Sequence, residues 1–259
     1  MIQILISTMF LKNPIVLLTK LNVQTEAIII DQCDYNGEEK LYFNGKEVLI
    51  KHTTERGISK SRNMALNCAT ADIIVFCDDD FIYEDHYYET IMNAYNQFTE
   101  ADLIVFSAIR NDSFHYTKFP DGRLSKRNKF RVNSIRITAK RKSLKDKNVR
   151  FDEHFGPGSE VAHGEDTIFM CDCYKNNLKV YSKNSLLCHG ELISRESTWF
   201  SGYDKKFFFD NGIIYKRISK VPFLLILYFA IKKHKLYKKQ CKFNKAIKFM
   251  VEGTRMHLK

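Results

Sequence analysis

Apolar residues in the first part of the chain come in short unbroken runs. Ile2 to Ile6 and Ala27 to Ile30 are clear, Glu47 to Ile50 is weaker, and Ile73 to Cys77 and Leu103 to Phe106 repeat the pattern. Runs of this length, rich in β-branched residues and closed by polar breaks, read as strands buried on both faces. Between them the spacing turns helical. Pro14 to Leu21 predicts a short helix, and Met64, Ala65, Leu66, Cys68 and Ala69 predict an apolar helix face with Ser59 as its N-cap. Tyr88, Ile91, Met92 and Tyr95 predict another helix. Strands alternating with helices imply an α/β domain around a mostly parallel, covered sheet.

Residues 110 to 150 are polar, basic and weakly periodic, which predicts loops and short antiparallel strands. Phe169, Met170, Cys173 and Tyr174 then share one face of a helix that opens at Gly164-Glu165-Asp166. Past about residue 205 the character changes. Phe207 to Phe209 and Pro222 to Ile231 are followed by eight lysines between Lys232 and Lys248. The division expected is a catalytic domain over residues 1–205 and a helical, basic and apolar tail over 206–259. An apolar decamer with a polybasic flank reads either as an element lying on an anionic membrane surface or as a helix docked on the domain with its lysines solvated. The run Val221 to Ile231 is too short to span a bilayer, and Ile2 to Ile6 lacks the basic flank of a secretory signal.

Charge sharpens this picture. The 259 residues carry a formal net charge of +11, which implies attraction to something anionic: nucleic acid, acidic lipid or a phosphorylated small molecule. Seven cysteines fall in no zinc or disulfide spacing, so reduced thiols and a cytoplasmic location are expected, with attachment to the inner face of the cell membrane through the tail.

Three motifs could carry chemistry. Asp78-Asp79-Asp80 closes a hydrophobic strand, where open α/β sheets bind ligands. Carboxylates so close repel one another unless a cation such as Mg²⁺ or Mn²⁺ offsets them. On an extended chain Asp78 and Asp80 point to one side and can share one ion; the alternative is a solvated turn capping a helix near Glu84. Gly164-Glu165-Asp166 is either a helix cap or a rigidly held general base. The stretch from Arg56 through Gly57, Ser59, Ser61 and Arg62 to Asn63 places basic groups and backbone amides at a helix start, a seat for a diphosphate or simply a basic helix end. Gly156 to Glu160 reads as a ligand-facing loop.

Together and in this order, these motifs resemble family 2 glycosyltransferases of the GT-A-type fold. The counterparts are Ser7-Thr8, Asp31, Gly57…Ser61-Arg62-Asn63, Ile73 to Asp80 and Gly164-Glu165-Asp166, over roughly residues 1 to 190. The resemblance implies a sugar transferred with inversion from a nucleotide-sugar donor, by family habit a UDP-sugar, to a glycan or lipid-linked acceptor in bacterial surface glycan synthesis. It places Thr8 and Asp31 at the nucleobase, Arg62 at the base or its phosphates, and Asp78 with Asp79 on the donor. Asp80 would ligate Mn²⁺ or Mg²⁺, Asp166 would be the base and Glu165 its supporting carboxylate. His189 could approach the metal or diphosphate, or be structural. Gln32 and Met9-Phe10 depart from the family pattern.

Two other classes fit parts of the sequence. A haloacid-dehalogenase-like phosphatase would use Asp78 as nucleophile and Asp80 as acid/base, but that family places this strand near the N-terminus. A basic nucleic-acid-binding module would explain the charge, yet no recognition-helix, ribonucleoprotein or zinc signature is present.

Overall fold

The computed structural model describes residues 1–111, 114–190 and 202–258. Its apolar runs become strands β1 (Ile2–Met9), β2 (Glu26–Gln32), β4 (Lys46–Thr53), β5 (Ile73–Asp78) and β7 (Leu103–Asn111). These run parallel, with β1 between β2 and β5. Strand β3 (Gly37–Phe43) pairs antiparallel with β4 and forms an edge. It is mostly exposed, and its apolar residues are confined to Leu41, Tyr42 and Phe43, too short a run for the sequence to announce a strand. The remaining strands are β6 (Phe81–Tyr83), β8 (Phe114–His115), β9 (Gly122–Arg123), β10 (Ile137–Lys140) and β11 (Val180–Gly190). The main path is β3-β4-β2-β1-β5-β10-β7-β11-β6. The basic stretch does supply a short antiparallel strand, and β10 lies between β5 and β7 in mid-sheet.

Alternation within β1 divides the core. Ile4 and Ile6 face a cluster with Leu17 and Leu18 of α1 (Pro14–Lys20) and Ile91 and Ala94 of α3 (Tyr87–Gln97). Leu5 faces the other side with Ala65 of α2 (Ile58–Cys68) and Phe169, Met170 and Cys173 of α5 (Glu165–Lys175). A short α4 (Arg141–Asp146) closes the end of β10. All seven cysteines are unpaired, as expected.

Three local expectations change. Ser59 is inside α2 and buried, donating to the Phe155 carbonyl at 2.6 Å, while Gly57 occupies the N-cap. The buried face of α2 is polar (Ser59, Ser61, Arg62 and Asn63 with Ala65), whereas Met64, Leu66 and Cys68 are only partly buried. Helix α3 starts at Tyr87, because Phe81 to Tyr83 is taken by strand β6.

The tail forms α6 (Lys205–Ile218), α7 (Pro222–Lys232), α8 (His234–Tyr237) and α9 (Phe243–Gly253). Phe208, Ile226, Ala230, Tyr237, Ala246 and Met250 give it a core of its own. A separate cluster of Phe155, Val161, Ile168, Ile213 and Ile214 joins it to the sheet domain. No helix of the described residues is long and apolar enough to cross a membrane.

Candidate active site

Parallel register sets the site. Thr8 lies opposite Asp31 and Ser7 opposite Asp78, so the ends of β2, β1 and β5 stand in one row. With neighbouring strands 4.7–4.9 Å apart, Asp31 and Asp78 are about 10 Å from each other along that row. A crevice beyond such strand ends is the usual ligand position in an open α/β sheet.

At the β5 end, Asp78 is the last strand residue and Asp79-Asp80 form a turn before β6. The alternation that would aim Asp78 and Asp80 to one side therefore does not apply; the turn sets their directions instead. Asp79 accepts from the Thr8 hydroxyl at 2.8 Å, and its carbonyl accepts from Lys20 Nζ at 3.0 Å. These bonds anchor the turn to β1 and α1.

Arg62 organises the centre. Only 3% of its side chain is exposed, and it contacts three carboxylates: Asp78 at 2.9 Å, Asp166 at 3.3 Å and Glu165 at 3.7 Å. Its guanidinium lies 5.2 Å from the Phe151 ring centroid, and its buried Nε has no hydrogen-bond partner. The polar face of α2 makes this possible. Ser61 donates to Ser7 Oγ at 2.8 Å, and Asn63 donates to the Phe151 carbonyl and Glu153. Arg62 is thus turned inward, tying the strand-end acid to the helix-start pair.

That pair sits at the first turn of α5. Burial, then the neighbouring Asp166, push Glu165 up to about 8, against the opposing effect of Arg62. Burial also raises Asp166, although Arg62 and bonds from the Ser134 backbone and hydroxyl work the other way. Two acids raised beside one guanidinium readily retain a proton, so the pair can hold one or take one up. Gly164 precedes them at φ +99°, where a Cβ would stand 2.6 Å from Ile214 Cδ1. Only glycine allows that turn and that approach. The loop Gly156 to Glu160 lies against α2: the Pro157 carbonyl accepts from Ile58 N, and a Cβ on Gly158 would be 3.0 Å from Gly57 Cα. Its small residues serve backbone packing at the helix start.

Other groups complete the rim. His189 stands opposite Ile82, two residues past Asp80, and its Nδ1 pairs with Glu84 at 2.8 Å. Arg110, at the end of β7, hydrogen-bonds Tyr116 and feels the charges of Asp80 and Asp78. The sequence reading missed Arg110, Tyr116 and Ser134 because they belong to the aperiodic basic stretch and its border; a basic residue at a strand end was the one signal available.

At the other end of the row Asp31 is buried, accepting from Leu11 N at 2.9 Å and pairing with His52 Nδ1 at 2.9 Å. Cys33 Sγ lies 3.9 Å from the same imidazole nitrogen. The exposed surfaces here are Phe10, beneath Arg56 at 5.4 Å, and Tyr35, whose ring is 4.7 Å from that of His52. Gln32, in place of a second acid, accepts from Gly57 N at 2.8 Å and so supports the start of α2.

The donor chemistry of the acidic turn suits a hard divalent ion. Among the described residues, the Asp, Glu, His or Cys groups already converged within 4.8 Å comprise Asp31, Cys33 and His52, where a hydrogen bond accounts for the approach. Asp78 to Asp80 offer oxygen ligands only. That fits Mg²⁺ or Mn²⁺, which take one or two carboxylates and fill the remaining positions with phosphate oxygens and water.

Residues 18–158, more than half of the chain, match the family described as Glycosyl transferase family 2. The chain belongs to glycosyl transferase family 2. Its structure is similar to that of S. aureus TarS (residues 1–349) in complex with UDP-GlcNAc, with a TM-score of 0.67 and 13% identity over 92% of this chain and 74% of that one. The complex of the same protein with UDP gives a TM-score of 0.67 and 14% identity, covering 97% of this chain and 80% of that one. At such identity the likeness establishes the GT-A fold, as the sequence resemblance implied. Comparison with curated protein sequences gives no match.

Proposed function

We propose that this family member transfers a sugar from a nucleotide diphosphate donor, a UDP-sugar, to an acceptor hydroxyl with inversion at the anomeric carbon. The observation that carries the reading is Arg62, which holds the strand-end Asp78 and the helix-start Asp166 on one guanidinium. It joins the acid that would face the diphosphate and metal to the acid that would accept the proton, which neither a solvated acidic turn nor a simple helix cap requires.

In this reading the nucleotide lies along the strand ends. The base rests on the exposed faces of Phe10 and Tyr35, with Thr8 and Asp31 behind them, and Asp78 and Asp79 face the ribose and diphosphate. Asp80 would hold Mn²⁺ or Mg²⁺, with His189 as a second donor oriented by Glu84 on its other nitrogen. The ion would neutralise charge on the diphosphate. Arg110 adds positive charge to the same end. Asp166 takes the proton of the acceptor hydroxyl as its oxygen attacks the anomeric carbon from the face opposite the nucleotide, and Glu165 shares the proton load. The bond from that carbon to the diphosphate oxygen breaks, and the nucleoside diphosphate leaves with the electron pair. Arg62 is a positioning residue, aiming Asp166 and keeping Asp78 in place. The acceptor is a glycan or a lipid-linked saccharide of a bacterial surface polymer, and the protein works at the cytoplasmic face of the membrane.

Calorimetric titration of UDP, GDP and dTDP, with and without Mn²⁺, tests the donor site on wild type and Asp80→Ala. The expected result is UDP binding that needs both the ion and Asp80. Absence of nucleotide binding in every condition overturns the reading.

A further inference from the structure

The tail helix α7 is apolar on both of its faces. Ile226 and Ala230 point into the tail core, while Phe223, Leu224, Leu227, Tyr228 and Ile231 are exposed, Leu224, Tyr228 and Ile231 each by more than 60%. The exposed positions follow i, i+1, i+4, i+5 and i+8, which is one continuous helix face. Val221 just before it and Leu236 on α8 are exposed as well. Scattered apolar residues on a surface need no account; a contiguous stripe of aromatic and branched side chains does.

Charge identifies what covers it. No acidic residue occurs between Asp210 and Glu252, and Lys232, Lys233, Lys235, Lys238 and Lys239 follow the stripe directly, all exposed. Two copies joined through this face would bring their lysine rows together, and like charges at close range oppose that. A surface with an apolar interior and a negative skin fits both features. With 11 residues, α7 is about 16 Å long, enough to lie in an interface and too short to cross it.

We infer that the α7 face with its lysine flank docks the protein on an anionic lipid bilayer, with Phe223, Leu224, Leu227, Tyr228 and Ile231 entering the headgroup–acyl boundary. The face is firmly connected to the site. Phe229 of α7 packs on Phe207 and Phe208 of α6, Gly212 of α6 leaves no room for a Cβ against the Met250 carbonyl of α9, and Ile214 of α6 lies on Gly164 beside the acid pair. Docking therefore fixes the orientation of Glu165 and Asp166 relative to the membrane and favours acceptors anchored in it. That last step rests on the transferase reading; attachment does not.

The test is flotation of the full chain with phosphatidylcholine vesicles, with and without phosphatidylglycerol. Two variants accompany it: a face variant (Leu224→Gln, Tyr228→Gln, Ile231→Gln) and a flank variant (Lys232→Gln, Lys233→Gln, Lys235→Gln). Circular dichroism and thermal unfolding of both should match wild type, since every altered side chain is exposed. Wild type should float only with the anionic vesicles, and each variant should bind at least about tenfold more weakly. Equal binding to both vesicle types, no binding, or a face variant that floats like wild type overturns the inference. So does a wild-type dimer in solution that the face variant abolishes, which would make the face a contact between copies. Nucleotide titration without vesicles is independent of all these outcomes, so the two readings fail separately.

Discussion

Helices α2 and α7 break the same patterning rule in opposite directions. Helix α2 turns Ser59, Ser61, Arg62 and Asn63 into the protein while Met64 and Leu66 remain at the margin. Helix α7 packs Ile226, Phe229 and Ala230 on the tail core and leaves Phe223, Leu224, Leu227, Tyr228 and Ile231 in water. A buried polar face is tolerable because each of these residues has at least one partner, a carbonyl, a second serine or an acid, with only Arg62 Nε left unbonded. The exposed apolar face has no such compensation among the described residues, which is what the proposed docking on lipid would supply. Departures from consistent patterning collect where function resides. In the two proposals above, the inward departure builds the catalytic site and the outward one a docking surface.

The comparison can be broken most severely at the product of α2's polar face. Asp166→Asn should lower turnover by about 10²–10⁴-fold, the usual worth of a general base, with donor binding retained. Calorimetry alongside a transfer assay separates the two effects. Arg62→Met should destabilise the fold by about 3–5 kcal/mol, because three carboxylates then face one another without their counter-charge. Urea unfolding measures it. Arg62→Lys should recover little of the turnover, since an ammonium cannot reach all three acids in a fixed fork.

Smaller changes sharpen the contrast. Ser61→Ala leaves the buried Ser7 hydroxyl without its donor and should cost about 1–3 kcal/mol in the same unfolding experiment. The acid pair predicts a pH signature. Glu165 titrates higher in the native state than in the unfolded chain, so the native state retains a proton that the unfolded chain has released. Its contribution is complete below the unfolded value of 4.5 and is lost as pH rises to about 8. Stability should therefore fall with pH across this window, and Glu165→Gln should flatten the slope; a slope unchanged in that variant would reject the assignment. On α7, Leu224→Gln should alter stability by less than about 0.5 kcal/mol, because the side chain touches little of the fold.

Much of the sheet was legible because a strand buried on both faces must be almost wholly apolar. Ile2 to Ile6, Ala27 to Ile30 and Ile73 to Cys77 state their own location. Strand β3 was not legible, since an exposed edge satisfies its backbone with side chains of any polarity. The acids Asp78 and Asp166 could be named from strand-end and helix-start positions, which are local features. Their meeting on Arg62 could not, because Asp78 lies 16 residues from Arg62 and Asp166 lies 104 away. Helix α2 was read with an apolar face inward for the same reason: its true neighbours, Phe155, Phe151 and the acid pair, come much later in the chain.

Composition and order along the chain were therefore enough for the alternation of strands and helices, for the acidic strand end, and for a tail that is at once apolar and basic. These depend on side-chain preference within a few residues, where period and capping operate. Which way α2 and α7 face was settled by packing. A helix presents its sides according to what stands beside it, and for α2 that is the carboxylate end of the sheet. For α7 it is the small tail core of Phe208, Tyr237, Ala246 and Met250, which has room for one side of the helix and no more.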